Sequence, residues 1–112
     1  MICGFVYDEA ELTKISKSKV EAIIEQVKLA KNITIEVYTY TDNIGSDAYN
    51  IVLSARRAAA LKNLLVANGI AETDIKAIGK GEEDPIADNS TPAGQAINRR
   101  GEFIFKTKSP AE

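Results

Sequence analysis

The sequence has no histidine and a single cysteine. The first absence removes Ser-His-Asp and Cys-His nucleophile systems, along with the commonest zinc ligand sets. The second removes an internal disulfide and any all-cysteine metal site. The cysteine, Cys3, sits among Ile2, Gly4 and Phe5, where a free thiol is expected to pack as a small hydrophobe rather than react. A basic excess is also missing: 14 Lys and Arg against 16 Asp and Glu leave a net charge of −2. No nucleic-acid partner is expected of such a chain. No apolar run approaches the ~20 residues of a membrane span, and the start lacks a basic-then-apolar export pattern. Any tether or export signal is therefore expected to lie outside these residues. What is present is ordinary globular usage, 45% hydrophobic and 27% charged over 112 residues. That length suits one domain, 1–112, with a core over about 5–106.

Residues 2–7 read as a short strand. Val20, Ile23, Ile24 and Val27 then fall at i, i+3, i+4 and i+7, the apolar stripe of a helix ending near residues 31–32. Ser18 and Glu21 have capping-box spacing, with Thr13 and Ser16 as earlier candidate caps. Ile33, Ile35, Val37 and Thr39 alternate with Thr34, Glu36, Tyr38 and Tyr40, the pattern of a half-buried strand. A turn at Gly45 leads to a long helix over 47–68, stopped by Gly69. A short strand follows over 74–79. The polar loop 81–96 carries Pro85, Pro92 and Gly94 and is expected to hold one helical turn near its end. The last strand, 101–106, sets Phe103 and Phe105 on one face, and the tail 109–112 is expected to fray. The order β-α-β-α-β-loop-β places helices against a sheet, in the α/β or α+β class.

One charge stands out on the second helix. Arg57 is four residues from Leu53 and Leu61 and seven from Asn50 and Leu64, so it shares a mostly apolar face. Two readings are open: an arginine whose stem lies on the core with its head in water, or a buried head with a task. Asp42, at the end of the half-buried strand, is either a turn residue or the opposite wall of a small cleft. In the second case a guanidinium fork would bind a carboxylate and the aspartate an ammonium, a pair suited to the free end of an amino acid. The run Glu82-Glu83-Asp84 is read as a solvated corner, and Gly79-Lys80-Gly81-Glu82 as a turn without a phosphate cradle. No metal or cofactor is expected.

Thr41-Asp42-Asn43, then Asn50-Ile51-Val52-Leu53-Ser54-Ala55-Arg56-Arg57-Ala58, Gly79-Lys80-Gly81-Glu82, Pro85-Ile86-Ala87-Asp88-Asn89 and Asn98-Arg99-Arg100 carry a resemblance. Together they resemble the peptidoglycan-binding domain shared by the C-terminal part of OmpA, peptidoglycan-associated lipoproteins and MotB. The resemblance runs over roughly residues 5–105. It implies an α+β sandwich, a β-α-β-α-β-β mixed sheet with helices packed on one face. It implies a non-catalytic module, periplasmic and tethered at the outer membrane, that grips the diaminopimelate end of the peptidoglycan stem peptide. By resemblance Asp42 and Arg57 hold the ligand, Thr41, Asn43 and Asn50 line the pocket, and Tyr7-Asp8 form its edge. Leu53, Tyr40 and the long loop are expected to shield the cleft, and one of Arg99 and Arg100 to tie that loop to the sheet. The sequence departs from the family at Thr39-Tyr40, where Gly-His is common, and at Gly101, where a β-branched residue is usual and a bulge or weakened strand is expected. The first departure motivates the alternative function, an envelope assembly module that keeps the fold without the ligand.

Overall fold

The computed structural model describes residues 2–5, 10–30 and 32–107; the strand end and pocket edge assigned to Tyr7 and Asp8, and the tail 109–112, lie outside them. The chain runs through β1 (Ile2–Gly4), α1 (Lys14–Leu29), β2 (Ile33–Thr39), α2 (Asp47–Ala67), a 3-10 turn (Glu72–Asp74), β3 (Ile75–Gly79), α3 (Pro92–Asn98) and β4 (Arg100–Thr107). The strands form one mixed sheet in the order β1-β4-β2-β3. Only β2 and β3 are parallel; β4 runs antiparallel to both β1 and β2. This is the expected α+β architecture.

The helix boundaries follow from their caps. Thr13, not Ser18, caps α1: its hydroxyl accepts from the Ser16 amide at 3.3 Å. Ser16 in turn accepts from the Gly4 amide at 2.6 Å, and the Thr13 amide donates to the Gly4 carbonyl at 3.1 Å. The helix therefore starts where it is tied to β1, and Ser18 falls inside it. Its end comes at Leu29 because Ala30 is already extended (φ −97°, ψ 104°). Ser46 caps α2 by accepting from the Tyr49 amide at 3.1 Å, and Gly69, at φ +94°, follows its end. The long loop is shorter than expected because α3 takes seven residues rather than one turn. Thr91 caps it and Pro92 occupies its first position.

The even spacing of β2 sorts its side chains. Ile35, Val37 and Thr39 point into the core, where Ile35 and Val37 join Cys3, Phe5 and Phe103 against Val20 and Ile24 of α1 and Leu61 and Leu65 of α2. Cys3 is 2% exposed, and desolvation pushes its thiol up to about 11, so it packs as a neutral hydrophobe. Phe105 stacks on Phe103 with centroids 6.3 Å apart but lies at the rim of the core. Gly101 does not mark a bulge: the register passes through it unbroken, opposite Cys3 on one side and Thr39 on the other. A Cβ there would stand 3.0 Å from both the Cys3 sulfur and Leu61 Cδ1, so the glycine makes room for core side chains.

The other sheet face carries its own polar network. Glu36 accepts from the Tyr38 hydroxyl at 2.6 Å and pairs with Lys106 at 2.6 Å across the β2–β4 ladder. The Lys106 contact, then the Tyr38 hydroxyl, holds the Glu36 carboxyl below the usual glutamate range. Because folding lowers this pKa, the pair stabilises the fold above the unfolded glutamate value near ~4.3. That contribution is lost as the pH falls through the lower folded value. An NMR titration should therefore place the Glu36 midpoint below the ordinary range, and Lys106→Ala should move it up.

On the helix side, Gly79 ends β3 directly against α2. A Cβ at this position would overlap the Ala55 amide nitrogen and stand 2.5 Å from the Ser54 carbonyl carbon, and these are backbone atoms that cannot step aside. Gly79→Ala should cost at least about 1–3 kcal/mol, read as a lower urea midpoint.

Candidate functional site

Beyond β2 the chain is fastened to α2 through one serine. The Thr39 hydroxyl donates to the Ser54 carbonyl at 2.5 Å. Ser54 Oγ donates to the Ile51 carbonyl at 2.9 Å and accepts from the Gly81 amide at 2.8 Å, while the Thr41 amide donates to the Gly81 carbonyl at 2.8 Å. Thr41 and Asp42 are thereby carried past the sheet end onto the first turns of α2. Asp42 Oδ1 accepts from the Ile44 amide at 3.1 Å, an aspartate turn, so Asp42 is both the turn residue and a wall of the space beside it. That space is a hollow of about 210 Å³ lined by Thr41, Asp42, Asn50, Leu53, Arg57 and Arg99, with Ile44, Gly45 and Tyr49 completing the wall.

Of the charged groups in this wall, Arg57 and Asp42 are buried and Arg99 is half-buried. Arg57 is 0% exposed, which excludes an arginine reaching out to water. Its Nη1 donates to the Tyr40 carbonyl at 3.1 Å, and its guanidinium lies 4.8 Å over the Phe5 ring. Asp42 is 4% exposed, and its Oδ2 accepts from Arg99 Nη1 at 2.9 Å. Removing such ions from water costs several kcal/mol each unless opposite charge and hydrogen bonds offset it. Asn50, also buried, donates to the Asp42 carbonyl at 3.4 Å and to Glu82 Oε2 at 3.3 Å.

Of the residues singled out from the sequence, Asp42, Arg57, Asn50 and Thr41 come together around this hollow. Asn43 does not: the aspartate turn carries it outward, where it is exposed and no part of the lining. Leu53 lines the wall as expected, but Tyr40 and the long loop do not. Tyr40 is packed against the Arg100 guanidinium, 3.9 Å from its ring centroid, and the loop borders a second hollow beside Asp47 and Ile51. Thr39 is spent in the strand–helix bond to Ser54, away from the hollow, so the threonine that replaces the family glycine alters packing rather than the lining. Arg99 is the residue that sequence reasoning missed. It stands 57 positions from Asp42, and its only signal was the double arginine, read as structural.

The sequence matches the OmpA family over residues 4–99. The chain belongs to the OmpA family. It is 42% identical over 94% of its length to outer membrane porin F of Pseudomonas fluorescens, and 38% identical over 90% to the peptidoglycan-binding protein ArfA of Mycobacterium tuberculosis. It spans about a third of the length of each, 32% and 31%. Among solved structures, the peptidoglycan-associated lipoprotein of Burkholderia pseudomallei superposes with a TM-score of 0.85 at 24% identity, covering 94% of this chain and 89% of that one. The cell wall anchor of the Pseudomonas aeruginosa type VI secretion system does so with a TM-score of 0.74 at 26% identity, covering 94% and 75%.

In this OmpA-family domain the motif Asn98-Arg99-Arg100 divides its work. Asn98 Oδ1 accepts from the amides of Ile86 and Ala87, and its Nδ2 donates to the Ala87 carbonyl and Asn89 Oδ1. Gly94 lets α3 lie against Asp88, whose carbonyl oxygen a Cβ would overlap. Arg100, 2% exposed, donates to the Asp84 carbonyl at 2.8 Å and to Glu102 Oε2 at 2.6 Å, and so ties the loop to β4. Arg99 turns the other way, to Asp42. Arg100→Ala should destabilise the fold by about 1.5–3 kcal/mol, the scale of charged hydrogen bonds, with the loss visible as a lower urea midpoint and faster amide exchange at Ile86 and Ala87.

Proposed function

We propose that this domain is a non-catalytic peptidoglycan-binding module that grips the diaminopimelate end of a stem peptide and so anchors its host protein to the cell wall. Asp42 takes the ligand ammonium, Arg57 its carboxylate, and Thr41 and Asn50 supply polar wall. The observation that carries this reading is a buried carboxylate and a buried guanidinium lining one hollow of about 210 Å³. Drug-sized ligands occupy roughly 300–1,000 Å³, so this space suits one amino-acid end rather than a whole glycopeptide. Among the described residues lining it, Asp42 is the only carboxylate, which fits recognition better than hydrolysis by a paired acid and base. The names of two relatives, a peptidoglycan-binding protein and a cell wall anchor, support the same reading. Those names, with that of outer membrane porin F, support a place in the bacterial envelope; a periplasmic position, with membrane attachment through a tether outside these residues, is part of the proposal.

A single amino-acid end gives modest affinity. Many stem peptides on one sacculus, met by many tethered hosts, make attachment multivalent. The assembly-module alternative rested on Thr39-Tyr40, and both residues lie outside the lining. Titration with a diaminopimelate-containing tripeptide should saturate, with amide shifts centred on Asp42 and Arg57. Arg57→Ala and the isosteric Asp42→Asn should each weaken binding by about thirtyfold or more, corresponding to ~2–5 kcal/mol for breaking a buried charged pair, and should no longer sediment with sacculi. Wild-type affinity in a folded Asp42→Asn would remove Asp42 from the site.

A further inference from the structure

The hollow holds an imbalance that the two-residue grip leaves unused. Among the described residues that line it there is one carboxylate, Asp42, and there are two guanidinium groups, Arg57 and Arg99. Arg99 is not a solvent-facing neighbour: its side chain is 15% exposed, against 6% for Asp42, and its Nη1 stands 2.9 Å from Asp42 Oδ2. The other oxygen, Oδ1, accepts from the Ile44 amide at 3.1 Å. Each carboxylate oxygen has two acceptor directions, so an incoming ammonium meets a carboxylate already fixed in direction and already partly compensated by a cation.

We propose that Arg99 is a specificity-determining residue of this site, one that admits an ammonium only when a carboxylate accompanies it. The proposal rests on the reading of the hollow given above and adds a selection rule to it. A ligand bearing an ammonium alone, such as a lysine side chain, brings a third cation to a wall that already presents two, in surroundings where water screens poorly. A diaminopimelate end brings its own carboxylate with the ammonium, so the charge it adds is zero, and that carboxylate faces a wall that holds the guanidinium groups of both Arg57 and Arg99. Discrimination then comes from repulsion of the wrong ligand as much as from attraction of the right one. Arg99 also keeps the Asp42 carboxylate aimed, which a neutral replacement does poorly and a lysine does in part.

The test is a titration of the whole chain with two stem tripeptides that differ only in diaminopimelate or lysine at the third position. The wild type should favour the diaminopimelate peptide strongly. In Arg99→Gln the ratio of the two affinities should narrow by about tenfold or more, partly through improved binding of the lysine peptide, and Arg99→Lys should restore most of it. A folded Arg99→Gln with an unchanged ratio would overturn the proposal, as would a variant that weakens both peptides equally. If Arg99→Gln does not fold, the wild type decides. Its Arg99 side-chain nitrogen resonances should shift at saturation with the diaminopimelate peptide, and resonances that stay in place would overturn the proposal. Failure of the wild type to bind the diaminopimelate peptide at all would instead sink the reading of the hollow itself.

Discussion

The geometry of this domain depends on how closely the sheet end can approach α2. Gly79 has no Cβ, so the last residue of β3 lies directly on the backbone of Ser54 and Ala55. Ser54 then joins three chain segments at once: its carbonyl receives Thr39, its hydroxyl receives Gly81, and the hydroxyl proton goes to Ile51. Arg57 stands three residues further along the same helix, and Asp42 three residues beyond Thr39. Their separation is therefore set by backbone contacts and short hydrogen bonds rather than by flexible side chains, and a recognition site gains precision from such support.

Burying ions is costly, and this fold concentrates them. Arg57, Asp42, Asn50, Asn98 and Arg100 are all among its buried polar groups. Arg100 and Asn98 serve structure: their partners include loop backbone, the Asn89 side chain, the Tyr40 ring and the half-buried Glu102, and together they set the path of residues 84–89. Arg57 and Asp42 flank space instead. Removal of water around a charged pair strengthens each electrostatic contact a ligand would make there, and a core with a satisfied polar framework beside it holds the groups in place while the space stays open.

Much of this was legible in the sequence, for local reasons. The alternation over 33–39, the stripe of α1, the stop at Gly69 and the burial of Arg57's helix face all follow from periodicity and backbone preference within a few residues. Asp42 was legible as a turn residue and as one wall of a small cleft, and it is positioned as both. Three things were not legible. Asn43 differs from Asp42 by one position in a turn whose direction is fixed by a side-chain bond, and no spacing rule gives that direction. Thr13 was one of three candidate caps for α1, and the choice among them is decided by β1, which is distant from the helix pattern. Arg99 reaches Asp42 only because α3 ends where β4 begins, so its role depends on the path of a loop, and a loop path is a tertiary property. The expected bulge at Gly101 failed for a similar reason: the residue accommodates Leu61 and Cys3, which belong to other elements.

The antiparallel pairing of β2 and β4 has a mechanical consequence. Asp42 follows the C-terminal end of β2, whereas β4 ends at Thr107 opposite Ile33, the first residue of β2. The two points thus lie at opposite ends of a ladder of seven facing residue pairs. Tension applied between the hollow and the end of β4 runs lengthwise along that ladder and loads its hydrogen bonds together in shear, instead of peeling them apart one after another.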